Sequence, residues 1–432
     1  MHDFRYVGNQ LFCEGVAVAS LAEAFGTPLY VYSQHTLEDH FLKLDTALAS
    51  LDHQICFAMK ANSNLSVMRV LANCGSGFDV VSAGELQRVI AAGGDPKKCV
   101  FAGVAKSEKE IEFALRKGIY SFNCESEPEI VRINKVATRL NKVAPIAVRV
   151  NPNVAAKTHA KITTGTYENK FGIAFEEVEA IYARASKLKN IKLRGVQMHI
   201  GSQITETMPF ELAVKKVLPL VEQLKAKFAL EFFSIGGGLG IVYEPALASG
   251  AASWWSSPAA KDIMTPATYA AKLLPLLQPL GLKILMEPGR FIVGNAGALV
   301  TKVEYVKRTG KKNFVIVDAA MNDLIRPAFY DAYHEIVPLK KKAGATISSD
   351  VVGGVCESGD YFCKNRPLAK LGEGDTLALL SAGAYGFVMA STYNTRPLAA
   401  EVLVSGKNVA VARERQKVAD IWKGEKVAGW LK

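Results

Sequence analysis

The chain has 432 residues, of which 49% are hydrophobic, and a formal net charge of +11 at neutral pH. That length exceeds one typical domain and points to two, although α/β barrels alone reach this scale. The charge is spread thinly, with local runs at Lys302 to Lys312 and Lys340 to Lys342, and nothing repeatedly interleaves basic and aromatic residues as a nucleic-acid groove would. A nucleic-acid groove is therefore not expected, while an anionic cofactor or substrate is weakly favoured.

The N-terminus, Met1-His2-Asp3-Phe4-Arg5, lacks the basic and apolar regions of a signal peptide. No apolar run approaches the ~20 residues that span a bilayer, so no membrane association is expected. Seven cysteines are scattered without metal-ligand spacing, which predicts free thiols, no metal and a cytoplasmic location.

In chain order, the first 28 residues are strand-like at Phe4-Val7 and Val16-Ala19 and pair with a later β domain. Eight short apolar runs follow: Ile55-Met59, Phe78-Ser82, Cys99-Gly103, Ser121-Cys124, Ile146-Val150, Gly195-His199, Phe232-Ile235 and Lys283-Met286. Helical patterns separate them, as in Glu85-Ala92 and Leu212-Leu224. Eight strands alternating with helices predict a (β/α)8 barrel over residues 29–290. An insertion, Tyr243 to Asp262, carries Trp254-Trp255 and fits a lid, a contact patch or a disordered loop. Beyond Arg290, runs at Ala298-Val306, Phe314-Val317, Thr376-Leu380 and Glu401-Val404 predict a mainly β domain over 291–432, with residues 1–28 joined to it.

Barrel enzymes carry their chemistry at the C-terminal ends of strands. Lys60 ends the first run, and strand alternation places it on the face of Ala58 and Cys56, the presumptive interior. An amine in a partly apolar pocket has a lowered pKa and can form a Schiff base. Taken alone, such a lysine more often snorkels to solvent. Asp79 lies in the second run, Arg149 in the fifth, and His199 ends the sixth; a lone histidine is usually structural. Gly236-Gly237-Gly238 after the seventh run fits either a phosphate-binding turn or a flexible one. Glu287 in Glu287-Pro288-Gly289-Arg290 fits a cofactor contact, a helix cap or a salt bridge to Arg290.

Taken together, certain segments resemble the fold-type III pyridoxal-phosphate-dependent decarboxylase family, specifically its branch acting on meso-diaminopimelate. They are Phe57-Ala58-Met59-Lys60-Ala61-Asn62, Gly77 to Leu86, His199-Ile200-Gly201-Ser202-Gln203, Gly236 to Gly240, Glu287 to Arg290, Arg326-Pro327 through Tyr330, Cys356 to Asp360, Gly383-Ala384-Tyr385-Gly386 and Tyr393-Asn394. They run in family order along nearly the whole chain. The resemblance implies an alanine racemase-like fold, an α/β barrel plus a mainly β C-terminal domain. It also implies pyridoxal phosphate as cofactor, with Lys60 as the Schiff-base lysine and Asp79 in the cofactor site. His199 would stack on the pyridine ring, and Glu287 would pair with the ring nitrogen. Gly236, Gly237, Gly238, Ser202, Gly289, Arg290 and Tyr385 would hold the phosphate. Cys356, the implied proton donor, and Glu357 would enter the site from the other subunit of a homodimer.

The substrate's far end separates members of the family. A distal carboxylate calls for Arg290, Arg326 and Tyr330, with Tyr385 beside them and Glu357 for the ammonium. Decarboxylases of ornithine, lysine or arginine remain the alternative; the ornithine and lysine enzymes resemble a Cys-Asp pair where this chain has Cys356-Glu357. Alanine racemase is disfavoured by Glu287 and Cys356. A non-catalytic homologue that binds a protein partner is disfavoured by Lys60, the glycine run and Glu287.

Overall fold

The computed structural model describes residues 2–154 and 170–431. The chain forms two units. One comprises Leu37–Ile241 and Trp255–Val293, and the other Met1–Thr36, Val242–Trp254 and Gly294–Lys432.

The first unit is a closed parallel barrel of β1 (His53–Ala58), β2 (Gly77–Val80), β3 (Cys99–Phe101), β4 (Ser121–Cys124), β5 (Ala144–Asn151), β6 (Ile191–Met198), β7 (Phe232–Ser234) and β8 (Lys283–Met286). Each strand pairs in parallel with the next, and β8 closes onto β1. The eight runs read from the sequence are these strands, with shifted ends. The Phe78-Ser82 run stops at Val80 because Ser82 leaves the strand to cap the next helix, Ala83–Ala91, accepting from the Glu85 N–H. Ser107 and Glu110 form a reciprocal capping box that starts Glu108–Lys117 in the same way.

The barrel interior is a packed cluster of Cys56, Val100, Ala147, Phe232 and Leu285. Gly195 in β6 is required there, since a Cβ on it would lie 2.6 Å from the Phe232 ring. One expectation needs correction. β1 ends at Ala58, and Lys60 lies in a 3-10 turn, Met59–Ala61, so strand alternation does not set its direction.

The second unit is mainly β. Its main sheet is built on Gly297–Arg308, a long strand that pairs antiparallel with Asn313–Val317, Thr376–Leu379 and Leu29–Ser33. Leu29–Ser33 also pairs in parallel with Ala400–Ser405. All five of its residues are buried, so it is a central strand of this sheet and not the start of the barrel. The domain boundary expected at residue 29 therefore moves to Thr36, and the one expected at 290 moves to Val293. Val16-Ala19 is only partly extended, because a helix, Val18–Phe25, begins within it. Within the insertion, Ala246–Ser249, Ala252–Ser256 and Pro258–Ala260 are short helical turns.

The packing of Gly195 against Phe232 generates a stability test. Gly195→Ala is expected to cost about 1–3 kcal/mol through overpacking. Adding Phe232→Leu should return part of that loss, because the pair shares one space. Denaturant midpoints of the two single variants and the double variant check this.

Candidate active site

In a parallel barrel the loops after the strands gather at one end. Lys60, His199, Gly236 and Glu287 all follow strand ends. Lys60 Nζ donates to Asp79 Oδ2 at 2.6 Å. The carboxylate is 1% exposed and the lysine side chain 41% exposed. Lys60 thus sits in an ion pair facing partly to solvent, and not in the apolar pocket expected from its neighbours.

Glu287 is buried and receives three neutral donors. Asn123 Nδ2 at 3.1 Å and Ser234 Oγ at 2.8 Å reach Oε1, and Gln197 Nε2 reaches Oε2 at 2.9 Å. Burial, reinforced by the nearby Asp79 charge, pushes its pKa up to about 7, with these hydrogen bonds and Lys60 opposing the shift. The salt bridge to Arg290 that was one alternative for Glu287 does not form. Three further acceptor atoms here are buried and receive no donor: Asp79 Oδ1, Asn123 Oδ1 and Gln197 Oε1.

The glycine run is locked by close backbone approach. A Cβ on Gly236 would lie 2.3 Å from the Met198 carbonyl, one on Gly237 2.1 Å from the Glu287 carbonyl, and one on Gly238 2.5 Å from the Gly201 carbonyl. Gly236 and Gly238 also have φ of +70° and +104°. This is a fixed cradle and not a flexible turn. The Gly237 N–H donates to His199 Nδ1 at 3.2 Å, which leaves the ring proton on Nε2. His199 is half-buried, and burial, then the Arg149 and Lys60 charges, hold its pKa well below 6.5. Arg290 Nη2 donates to Ser202 Oγ at 3.1 Å. Gly289 packs where a Cβ would come within 3.1 Å of the Ala58 carbonyl.

Arg149 is held by Glu125 at 2.8 Å, and the Glu125 N–H donates to Glu129. Glu129 in turn pairs with buried Lys106 at 2.6 Å, and Lys106 Nζ donates to the Asn123 carbonyl at 2.9 Å. A buried charge network therefore braces the strand that presents Asn123 to Glu287. Sequence reasoning missed Asn123, Gln197 and Ser234. Their only signal was a polar side chain inside each of three apolar strands.

The β-rich unit holds the other expected residues. Arg326 is buried at the start of a short helix, Arg326–Tyr330, with Tyr330 half-buried at its end. Tyr385 is half-buried with φ of +56°. Cys356 and Glu357 lie exposed on the loop between Thr346–Val352 and Tyr361–Ala369. Asp360 shapes that loop by accepting from the Val355 N–H, while Tyr393 donates to Glu357 at 2.6 Å and the Cys356 N–H to Asn394 at 3.2 Å. All seven cysteines are free, and Cys356 is the exposed one among the described residues.

Residues 34–294 match the pyridoxal-dependent decarboxylase family in its pyridoxal binding domain. A diaminopimelate decarboxylase of Vibrio cholerae is 49% identical over 430 residues, covering 99% of each chain. The crystal structure of diaminopimelate decarboxylase from Helicobacter pylori complexed with L-lysine superposes with a TM-score of 0.87 at 40% identity, covering 94% of this chain and 98% of that one. The M. jannaschii diaminopimelate decarboxylase, also in co-complex with L-lysine, gives 0.91 at 36% identity over all of both chains. With its barrel, glycine cradle and buried carboxylates in place, the chain belongs to the diaminopimelate decarboxylase family of pyridoxal-dependent decarboxylases.

Proposed function

We propose that this protein is a pyridoxal-phosphate-dependent carboxy-lyase that converts meso-2,6-diaminopimelate to L-lysine and CO2, the last step of lysine biosynthesis. The whole-length likeness to diaminopimelate decarboxylases carries this reading. The residues present fit the cofactor. Three buried acceptors lack donors, a carboxylate titrates near neutrality, and a backbone cradle leaves no room for side chains. When bound, pyridoxal phosphate supplies a carbonyl that condenses with amines and a protonated ring that accepts the electron pair released by CO2 loss.

The chain's own residues then divide the work. Lys60 would supply the amine that holds the cofactor, and Asp79, which accepts from it, would keep that amine in place. His199, held neutral, would stack on the cofactor ring without placing a positive charge against it. Glu287 in its ionised form would pair with the ring nitrogen, and Asn123, Gln197 and Ser234 keep its carboxylate oriented. The cradle of Gly236, Gly237 and Gly238 would hold the phosphate together with Ser202, Gly289, Arg290 and Tyr385. Arg326, Tyr330 and Arg290 receive the distal carboxylate, with Tyr385 alongside, and Glu357 receives the distal ammonium. Cys356 returns a proton from Sγ to the substrate Cα.

The exposed loop bearing Cys356 and Glu357 supports a homodimer in which each copy lends these residues to the other. Free thiols support a cytoplasmic location. No helix among the described residues is long and apolar enough to cross a membrane.

Three tests follow from this assignment. Offered meso-diaminopimelate, ornithine, lysine and arginine separately, the holoenzyme should release CO2 from the first alone. Arg326→Ala should lower kcat/KM for it at least about tenfold while pyridoxal phosphate stays bound. The second concerns pH. Glu287 ionises near pH 7 in the unliganded protein, so its attraction for the ring N–H is present above that value and is lost as pH falls through it. Pyridoxal phosphate affinity of the apoprotein should therefore weaken from pH 8 to pH 6 more steeply in the native protein than in Glu287→Gln. The third addresses the shared site. Lys60→Ala and Cys356→Ala, each nearly inactive, should regain part of the native activity when unfolded together and refolded as a mixture. No recovery by a dimeric mixture would reject the exchange of residues.

A further inference from the structure

A buried histidine that no step above uses lies against Arg326. His334 Nδ1 is 2.8 Å from the Leu380 carbonyl, which can only accept, so the ring proton is on Nδ1. His334 Nε2 is 2.8 Å from Arg326 Nη1, which can only donate, so Nε2 presents its lone pair. The two partners together define a neutral imidazole in a single tautomer. The backbone fixes where that ring sits. Ile336–Pro338 pairs antiparallel with Thr376–Leu379, and the Leu380 N–H extends the ladder to the Glu335 carbonyl at 2.8 Å. Arg366 adds a hydrogen bond to the His334 carbonyl. Tyr243, from the inserted segment, completes the cluster. Its ring meets His334 edge to face at 5.6 Å, and the Arg326 guanidinium lies 4.9 Å from its centroid.

Both of these partners are neutral, and that choice has a consequence. A carboxylate at either place would orient the guanidinium equally well but would cancel its charge and compete with an incoming carboxylate. An imidazole lone pair takes one N–H and adds no negative charge of its own. A ring face does the same through its quadrupole. We infer that His334 is a positioning residue, the neutral hydrogen-bond acceptor that aims Arg326 at the substrate's distal carboxylate, with the Tyr243 ring packed against both. This rests on the reading of Arg326 given above.

The test uses the holoenzyme and meso-diaminopimelate. His334→Asn places an amide near the Nδ1 position, keeping the bond to Leu380 but not reaching Arg326. His334→Gln carries an amide oxygen to about the Nε2 position. The Asn variant should raise KM about tenfold with kcat changed less than about twofold, and the Gln variant should stay within about threefold of native KM. Neither should alter the visible absorbance of bound pyridoxal phosphate. Adding His334→Asn to Arg326→Ala should change KM no further, since the histidine acts through the arginine. An unchanged KM in His334→Asn, or additive effects in the double variant, would overturn the role of His334 and leave that of Arg326 standing. A KM unaffected by Arg326→Ala would instead remove the underlying reading. Should His334→Asn fail to fold, Gln is compared with Met, which has similar length and no comparable acceptor; equal KM values overturn the inference.

Discussion

Two carboxylates buried close together, Asp79 and Glu287, set the problem that the rest of the barrel solves. Like charges in a low-dielectric setting raise each other's cost of ionisation. The two are compensated differently. Asp79 takes a full charge partner in Lys60, whereas Glu287 takes three neutral donors from β4, β6 and β7. Neutral donors only partly offset desolvation, so Glu287 ionises near neutrality. That difference separates a carboxylate neutralised by an amine from one held only by neutral donors.

The glycine cradle obeys a second constraint, main-chain contact. Each of Gly236, Gly237 and Gly238 lies so near another loop's carbonyl that no side chain fits. The same approach lets the Gly237 N–H reach His199 Nδ1, which sets the histidine tautomer. The shape of the cradle and the histidine tautomer thus share one backbone cause. The charge chain of Arg149, Glu125, Glu129 and Lys106 stands behind Asn123, so a network remote from the cradle still governs how Glu287 is held.

The β-rich unit treats its arginine in the opposite way from the barrel's lysine. Lys60 faces a carboxylate, while Arg326 is flanked by an imidazole lone pair and an aromatic face. A lone pair and a ring face orient a guanidinium without adding a negative charge beside it. The insertion, whose role was open among lid, patch and disorder, contributes Tyr243 to this arrangement.

Much was legible in the sequence because it depends on local pattern. Eight apolar runs spaced by helical stretches specify a barrel, since period-2 and period-3.6 burial are written residue by residue. The motifs around Lys60, Gly236 and Glu287 named the chemistry only together and in family order, since each residue alone has other uses. Leu29–Ser33 was misassigned for an equally physical reason. A fully buried strand reads the same in a barrel and in a central sheet position, and only pairing with Gly297–Arg308 and Ala400–Ser405 separates the two. Lys60 was placed correctly in the chain but not in its setting, because one 3-10 turn broke the alternation that aimed it. By itself the sequence determined the fold class, the cofactor chemistry and the substrate class, all of which rest on residue identity and order. Tertiary structure alone decided the partners: Asp79 for Lys60, three donors for Glu287 and His334 for Arg326. Each of those contacts joins positions that become neighbours only when the chain closes on itself.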